Sequence, residues 1–147
     1  MASFRSANTK WLNAKLSAKP GTTNYLLECK KEIEKAIWDK RRPNLKRARQ
    51  VISDFKKICK DEELIFDLMI FYVEKGVEFE NEFGDLYEAY YASLESVYIE
   101  VTEKLKKNKK LAEKLKPRLK KIIENAADGW GHKDTLGDYF SLLYDEL

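Results

Sequence analysis

Apolar residues recur at helical spacing along most of the chain, and this pattern predicts an all-α protein. The first stripe predicts a helix over residues 24–39, with Thr23 or Asn24 as its N-cap. Its members are Leu26, Leu27, Ile33, Ile37 and Trp38. A second helix, over residues 44–60 and capped by Asn44, separates an apolar arc from a basic arc when its residues are placed at steps of about 100°.

The middle of the chain is its most apolar part and predicts a central, buried helix. Asp61 is a suitable N-cap, and "LIFDLMIFYV" is apolar on nearly every side. Gly76 predicts the end of this helix. The segment "VEFENEF", residues 77–83, alternates apolar and acidic residues and is interpreted as an extended connector. The connector side chains expected to fill the core are Val77, Phe79 and Phe83.

The C-terminal half of the chain predicts three more helices. The first covers residues 85–107 and the second covers residues 109–126. Pro117 lies inside the second and removes a backbone hydrogen bond, so a kink or a split is predicted at Lys116. A last helix is predicted over residues 134–144. Together these elements predict a single-domain bundle of five or six helices.

Length and composition agree with one helical domain. The chain has 147 residues, 44% of them hydrophobic and 36% charged, which is enough to bury one core. Residues 1–22 are predicted to be an N-terminal arm, and residues 23–147 are predicted to form the bundle. No apolar run reaches the roughly 18 residues of a membrane span, and no secretory signal is present, so the sequence predicts a cytoplasmic protein. Cys29 and Cys59 are too few for a disulfide framework or a cysteine-based zinc site and are expected to be small buried residues.

Charge is arranged in blocks that the net charge of +3 conceals. Residues 1–60 contain sixteen Lys/Arg and five Asp/Glu, whereas residues 61–103 contain one lysine and thirteen acidic residues. Residues 104–121 are again basic, with ten Lys/Arg and one glutamate. Residues 122–147 contain one lysine and six acidic residues. The bundle is therefore expected to present basic and acidic helices in turn.

The basic arc of the second helix has two interpretations. Lysine and arginine side chains that neutralise phosphates release counterions, so the arc is a candidate nucleic-acid interface. Alternatively, the arc packs beside the acidic helices of the same bundle and is an ordinary solvated face. The candidate nucleic-acid-binding residues are Arg41, Arg42, Lys46, Arg47, Arg49, Lys56 and Lys57.

Catalytic and cofactor motifs are absent from the sequence. It contains no phosphate-binding glycine loop, no dinucleotide-binding GxGxxG after a strand and no GxSxG elbow. The single histidine, His132, excludes a metal site built on a histidine pair within one chain. The sequence therefore predicts no cofactor, no metal and no catalytic residues, and it favours a protein that is not an enzyme.

The segment "GWGHKDTL", residues 129–136, is the remaining candidate site. Its glycines and Asp134 suit a tight corner between two helices, with Trp130 tucked beneath it. Alternatively, the same residues form the wall of a ligand pocket in which His132 carries a proton. The candidate pocket residues are Trp130, His132, Asp134, Glu78, Glu82 and Asp85.

Three stretches carry a resemblance to a known family: "LKRARQVISDFKK" (45–57), "DLMIFYVEKGVEFENEFGD" (67–85) and "GWGHKDTL" (129–136). In their order and approximate spacing, the chain resembles a family of small bacterial helical proteins described as a domain of unknown function, over roughly residues 24–147. The resemblance implies an all-helical bacterial cytoplasmic protein and assigns no activity. It also implies that the acidic connector and the glycine-rich corner belong to one pattern and form a shared site if they meet in space.

Of three function classes, the sequence favours a protein-interaction or regulatory module without catalytic activity. Its partner is expected to be another protein or a second copy of the chain, with no role for a membrane. This preference rests on the charge blocks and on an excess of aromatic residues on the fourth helix, namely Tyr87, Tyr90, Tyr91 and Tyr98. The alternative is nucleic-acid binding by the basic arc of the second helix. The third class is a small-ligand or metal-dependent activity at the glycine-rich corner.

Overall fold

The protein is mostly helical in the part that its computed structural model describes, which is residues 22–38, 44–83, 88–126 and 140–147. Side chains are described in the same ranges except at residues 80–83, 88–91 and 126. The helices are α1 (Thr23–Ile37), α2 (Leu45–Ile58), α3 (Glu62–Phe83), α4 (Glu88–Leu105), α5 (Lys109–Ala126) and α6 (140–145). The predicted all-α class is confirmed. None of these helices is long and apolar enough to cross a membrane.

Contacts between residues group the chain into two compact units, Met1–Leu68 and Met69–Leu147. The first unit contains α1, α2 and the beginning of α3. The second contains the rest of α3 together with α4, α5 and α6.

In the first unit, α1 packs against α2. Tyr25 and Phe55 are fully buried, and their rings stack with centroids 6.0 Å apart. The N-cap of α1 is Thr22, whose side chain accepts a hydrogen bond from the Tyr25 backbone N–H, so the predicted caps one and two residues later are wrong. The N-cap of α2 is Asn44, as predicted, because its side chain accepts a hydrogen bond from the Arg47 backbone N–H at 3.1 Å.

The buried stripe of α1 is displaced from the predicted one. Leu27 is 50% exposed and Trp38 is 36% exposed, so neither belongs to the core. Both residues lie about 100–120° from Leu26 when the helix is projected at 100° per residue. Tyr25 and Cys29, on the other side of Leu26, are fully buried instead.

In the second unit, α3 continues through Gly76 to Phe83, so the predicted helix end and the predicted extended connector are both wrong. Gly76 is needed for a close approach between helices. A Cβ atom at this position would lie only 2.5 Å from Leu94 Cδ2 on α4. The alternation of residues 77–83 is compatible with a helix because α3 is buried on more than one side, and both Val77 and Phe79 are buried.

Helix α5 is unbroken from Lys109 to Ala126, so the split predicted near Lys116 does not occur. Pro117 has no N–H and so cannot donate a hydrogen bond to the backbone carbonyl of Glu113. Both Pro117 and Glu113 are exposed. Water can therefore satisfy that carbonyl. On the opposite side the apolar row is continuous, since Leu111, Leu115, Leu119 and Ile122 are all buried.

Helix α6 contributes Phe140 to the core of the second unit. Phe140 is fully buried, and its ring stacks on Tyr98 of α4 with the centroids 4.0 Å apart and the planes 8° from parallel. A buried hydrogen bond of 2.7 Å joins the Tyr72 hydroxyl of α3 to the Ser93 hydroxyl of α4. Aromatic stacking and this polar contact therefore fix how the helices of the second unit pack.

Candidate functional site

Most residues of the predicted corner pocket lie outside the described residues. These are Asp85, Trp130, His132 and Asp134, and the Glu82 side chain is not described either. Glu78 is described, and it lies on helix rather than on a connector. The predicted meeting of the acidic segment with the glycine-rich corner therefore stays a prediction.

Glu78 lies at a cleft between α3 and α5, which we call the α3–α5 cleft. Its volume is about 290 Å³, and its lining includes Phe71, Lys75, Glu78, Lys121, Ile122 and Asn125. The Lys75 ammonium lies 2.9 Å from Glu78 Oε2 and 5.3 Å from the centroid of the Phe71 ring. Glu78 is thus held by a neighbour one turn away on its own helix, with about half of its side chain exposed.

A second ion pair borders the α3–α5 cleft and links its two helices. Arg118 of α5 donates to both carboxylate oxygens of Glu74 on α3, with an Nη2–Oε1 distance of 2.7 Å and an Nε–Oε2 distance of 3.4 Å. Two parallel donors from one guanidinium fix the orientation of both side chains. This cleft was not predicted from the sequence, because the predicted helix ended at Gly76. Without that break, Phe71, Lys75 and Glu78 share one face of a helix at spacings of four and three residues.

The basic arc of α2 is solvated in the structure. We define the basic face of α2 as Lys46, Arg49, Lys56 and Lys57. Lys46, Arg49 and Lys57 are exposed and Lys56 is half-buried. At 100° per residue these four side chains occupy an arc of about 100°, over about 17 Å of helix axis. Only exposed Ser53 shares this arc, so it contains no carboxylate.

Of the other three predicted nucleic-acid-binding residues, the structure describes only Arg47, and Arg47 is not part of this face. Arg41 and Arg42 lie outside the described residues. Arg47 is at the margin of the apolar arc, where its Nη2 atom lies 3.5 Å from Glu32 Oε2 on α1. Because Glu32 is only 7% exposed, Arg47 neutralises a buried carboxylate.

A second buried carboxylate, Asp54, lies on α2 itself. It is 1% exposed, accepts a hydrogen bond of 2.9 Å from Gln50 Nε2, and lies 3.9 Å from Lys57 Nζ. Neither Glu32 nor Asp54 was predicted to be buried. The signal was available for Asp54, because the 100° projection places it beside the apolar arc and away from the basic face.

These carboxylates affect the titrating groups packed around them. Burial raises the pKa of the Cys29 thiol to about 12, and the negative charges of Glu28, Glu32 and Asp54 add to the effect. Burial, followed by the charges of Cys29 and Asp54, also raises the pKa of Tyr25 above its ordinary value. Both groups are therefore neutral near pH 7, and Cys29 is a packing residue rather than a nucleophile.

Across the described part of the chain, no group of three or more His, Cys, Asp or Glu side chains could hold a metal ion. Comparisons of the chain with protein-family models, with curated proteins and with solved structures find no match. The resemblance to a domain of unknown function therefore stays a prediction.

Proposed function

We propose that the protein is a non-catalytic nucleic-acid-binding module that contacts phosphates through the basic face of α2. One observation carries the proposal. Four cationic side chains share an arc of the helix that contains no carboxylate. The carboxylates nearest to it, Glu32 and Asp54, are buried. Arg47 pairs with Glu32. Gln50 donates to Asp54, which also lies 3.9 Å from Lys57 of the basic face. The positive charges of the exposed Lys46 and Arg49 are thus presented to solvent.

Counterion release predicts how strongly nucleic-acid binding by this face depends on salt concentration. Each phosphate that a lysine or arginine neutralises contributes about 0.9 to the slope of log K against log salt concentration on duplex DNA. Three or four contacts along the basic face of α2 predict a slope near −3, and therefore weak binding that depends strongly on salt. Phosphate contacts carry no sequence information, so little discrimination between sequences is expected.

A protein-interaction module is the second candidate. It is supported by two large apolar side chains at the surface, Leu27 (50% exposed) and Leu142 (66% exposed). Single exposed apolar residues are common, so this support is weaker than the basic face. One of the four tyrosines that favoured this class, Tyr98, is 1% exposed and packed inside its own unit. A concentration-independent monomer mass in sedimentation equilibrium would count against self-association.

The test of the proposed function is fluorescence anisotropy with labelled mixed-sequence nucleic acids. The probes are a duplex DNA of about 20 base pairs and a single-stranded RNA of equal length, titrated at several salt concentrations from about 50 to about 200 mM. The variant Lys46→Gln/Arg49→Gln removes two charges from the basic face of α2. The matched control Lys109→Gln/Lys120→Gln removes two exposed charges from α5.

We expect the salt slope on the duplex to fall by about 2 in the α2 variant and to stay unchanged in the control. Both substitutions lower the net charge equally, so a difference between them reports the location of the contact. Equal losses in both variants, or no binding to either probe at the lowest salt concentration, would contradict the proposal.

A further inference from the structure

We propose that the α3–α5 cleft binds a small organic anion, one that joins a carboxylate to a planar apolar body. The cleft lies wholly within the second unit, and the basic face of α2 lies in the first. This inference therefore stands independently of nucleic-acid binding.

The size of the cleft suits a small molecule. Its volume of about 290 Å³ is just below the range for most small-molecule pockets, which is roughly 300–1,000 Å³. Such a pocket holds a single ring with one polar substituent rather than a nucleotide. The apolar part of the lining comes from Phe71, Val77 and Ile122, of which Val77 and Ile122 are buried.

Of the charged side chains that line the cleft, one cation is not paired with a carboxylate in the described part of the chain. Glu74 is paired with Arg118, and Glu78 is paired with Lys75. The remaining charged side chain of the lining is Lys121, which has no ion-pair partner among the described residues. After the two pairs neutralise each other, the cleft therefore has one uncompensated positive charge and favours a monoanion.

The uncompensated charge has a polar neighbour at the right spacing. Lys121 and Asn125 are four residues apart on α5, so their side chains lie on the same face of the helix, and both line the cleft. A lysine ammonium and an asparagine amide are both hydrogen-bond donors. The Lys121 ammonium can donate to one oxygen of a ligand carboxylate while the Asn125 amide donates to the other. The apolar body of the ligand then lies against Ile122 of the same helix and Phe71 of the opposite one.

The two ion pairs at the cleft explain its preference for an anion over a cation. A ligand cation would have to compete with Arg118 for Glu74, or with Lys75 for Glu78. The Arg118–Glu74 pair is bidentate and joins two helices, so breaking it disturbs the packing of the second unit. An anion meets Lys121 and Asn125 without breaking either pair.

The test uses three ligands of nearly the same shape and different charge: benzoate, neutral benzamide and the benzamidinium cation. Each is titrated into protein with ¹³C-labelled methyl groups, and the methyl resonances of Val77 and Ile122 are followed by NMR. Benzoate is expected to shift both resonances saturably with a Kd near 1 mM, a value typical of ligands with so few atoms. Benzamide is expected to bind about threefold more weakly, and benzamidinium not to saturate.

The variant Lys121→Gln should weaken benzoate binding by about threefold, to the level of benzamide, while leaving benzamide binding unchanged. Its neighbour Lys120 is exposed and does not line the cleft, so Lys120→Gln is a control with the same loss of charge. Both positions are exposed, so both variants are expected to fold as the original chain does.

Three results would overturn the inference. The first is the absence of saturable shifts at Val77 and Ile122 with benzoate. The second is equal affinity for benzoate and benzamidinium, since the uncompensated charge would then have no influence. The third is an equal effect of Lys121→Gln and Lys120→Gln, which would indicate long-range attraction to a basic helix rather than a contact in the cleft.

Discussion

Replacement of Gly76 by alanine tests whether this glycine is required by the packing of two helices. In an exposed helix interior, Gly→Ala stabilises a protein by about 1 kcal/mol, because glycine loses more backbone entropy on folding. In this chain the new Cβ would lie 2.5 Å from Leu94 Cδ2 and 2.7 Å from Leu94 Cδ1. Leu94 is fully buried, so its movement displaces other core atoms.

The two effects oppose each other, and their sizes decide the sign. Overpacking a close-fitting core costs about 1–3 kcal/mol, which exceeds the propensity gain of about 1 kcal/mol. Gly76→Ala is therefore expected to lower the free energy of unfolding by about 1 kcal/mol. Leu94→Ala alone should cost about 3 kcal/mol through the cavity that it leaves. The double variant should cost less than the sum, because the new methyl group occupies part of that cavity.

Urea unfolding monitored by circular dichroism measures all three variants. Ser96 of α4 provides the control, because it is exposed and helical in the same unit. The difference between Ser96→Ala and Ser96→Gly gives the propensity effect without a packing effect. If Gly76→Ala stabilises the protein by as much as this difference, or if the double-variant cycle shows no coupling, the close contact between α3 and α4 is refuted.

Two further predictions concern the first unit. Because burial raises the pKa of Cys29 from 9.0 to about 12, the stability present below pH 9 is lost as the pH rises towards 12, at up to about 1.4 kcal/mol per pH unit. Urea unfolding at about pH 8 and about pH 10 should show this loss, and Cys29→Ala should reduce it; an unchanged pH dependence in the variant would contradict the assignment. Asn44→Ala removes the N-cap side chain that accepts a hydrogen bond from the Arg47 N–H, and it should lower the unfolding free energy by about 1 kcal/mol. The control Ser53→Ala removes an exposed hydroxyl from the same helix and should change the unfolding free energy little.

Elements whose signals are local could be predicted from the sequence. The apolar and basic arcs of α2 are separated cleanly. Asn44 lies at the N-cap position, where its side chain accepts a hydrogen bond from a backbone N–H of the first turn. The apolar row of α5 predicted a helix in spite of Pro117. The same projection defined the basic face of α2. In these cases the residue itself and its neighbours within two turns contain the relevant physics.

Features that depend on distant residues could not be predicted. Glycine commonly ends a helix. Nothing in the sequence around Gly76 indicates that Leu94, eighteen residues later, occupies the space where a Cβ atom at position 76 would lie. The same misreading of Gly76 hid the α3–α5 cleft, because Phe71, Lys75 and Glu78 share a face only if the helix continues. Glu32 was overlooked for a related reason, since charged residues are normally exposed and the partner of Glu32, Arg47, lies on the neighbouring helix.

The unbroken α5 has a consequence for helix–coil cooperativity. A helix normally grows from one nucleus: the first hydrogen bond requires three residues to be fixed, whereas each later hydrogen bond requires only one. Pro117 interrupts that growth, because it supplies no N–H and its ring crowds the preceding turn. The residues on either side must therefore nucleate separately, and the burial of Leu115 and Leu119 joins them. A peptide of residues 109–126 alone would not propagate helix across the proline, so the continuity of α5 is a product of the unit into which it packs.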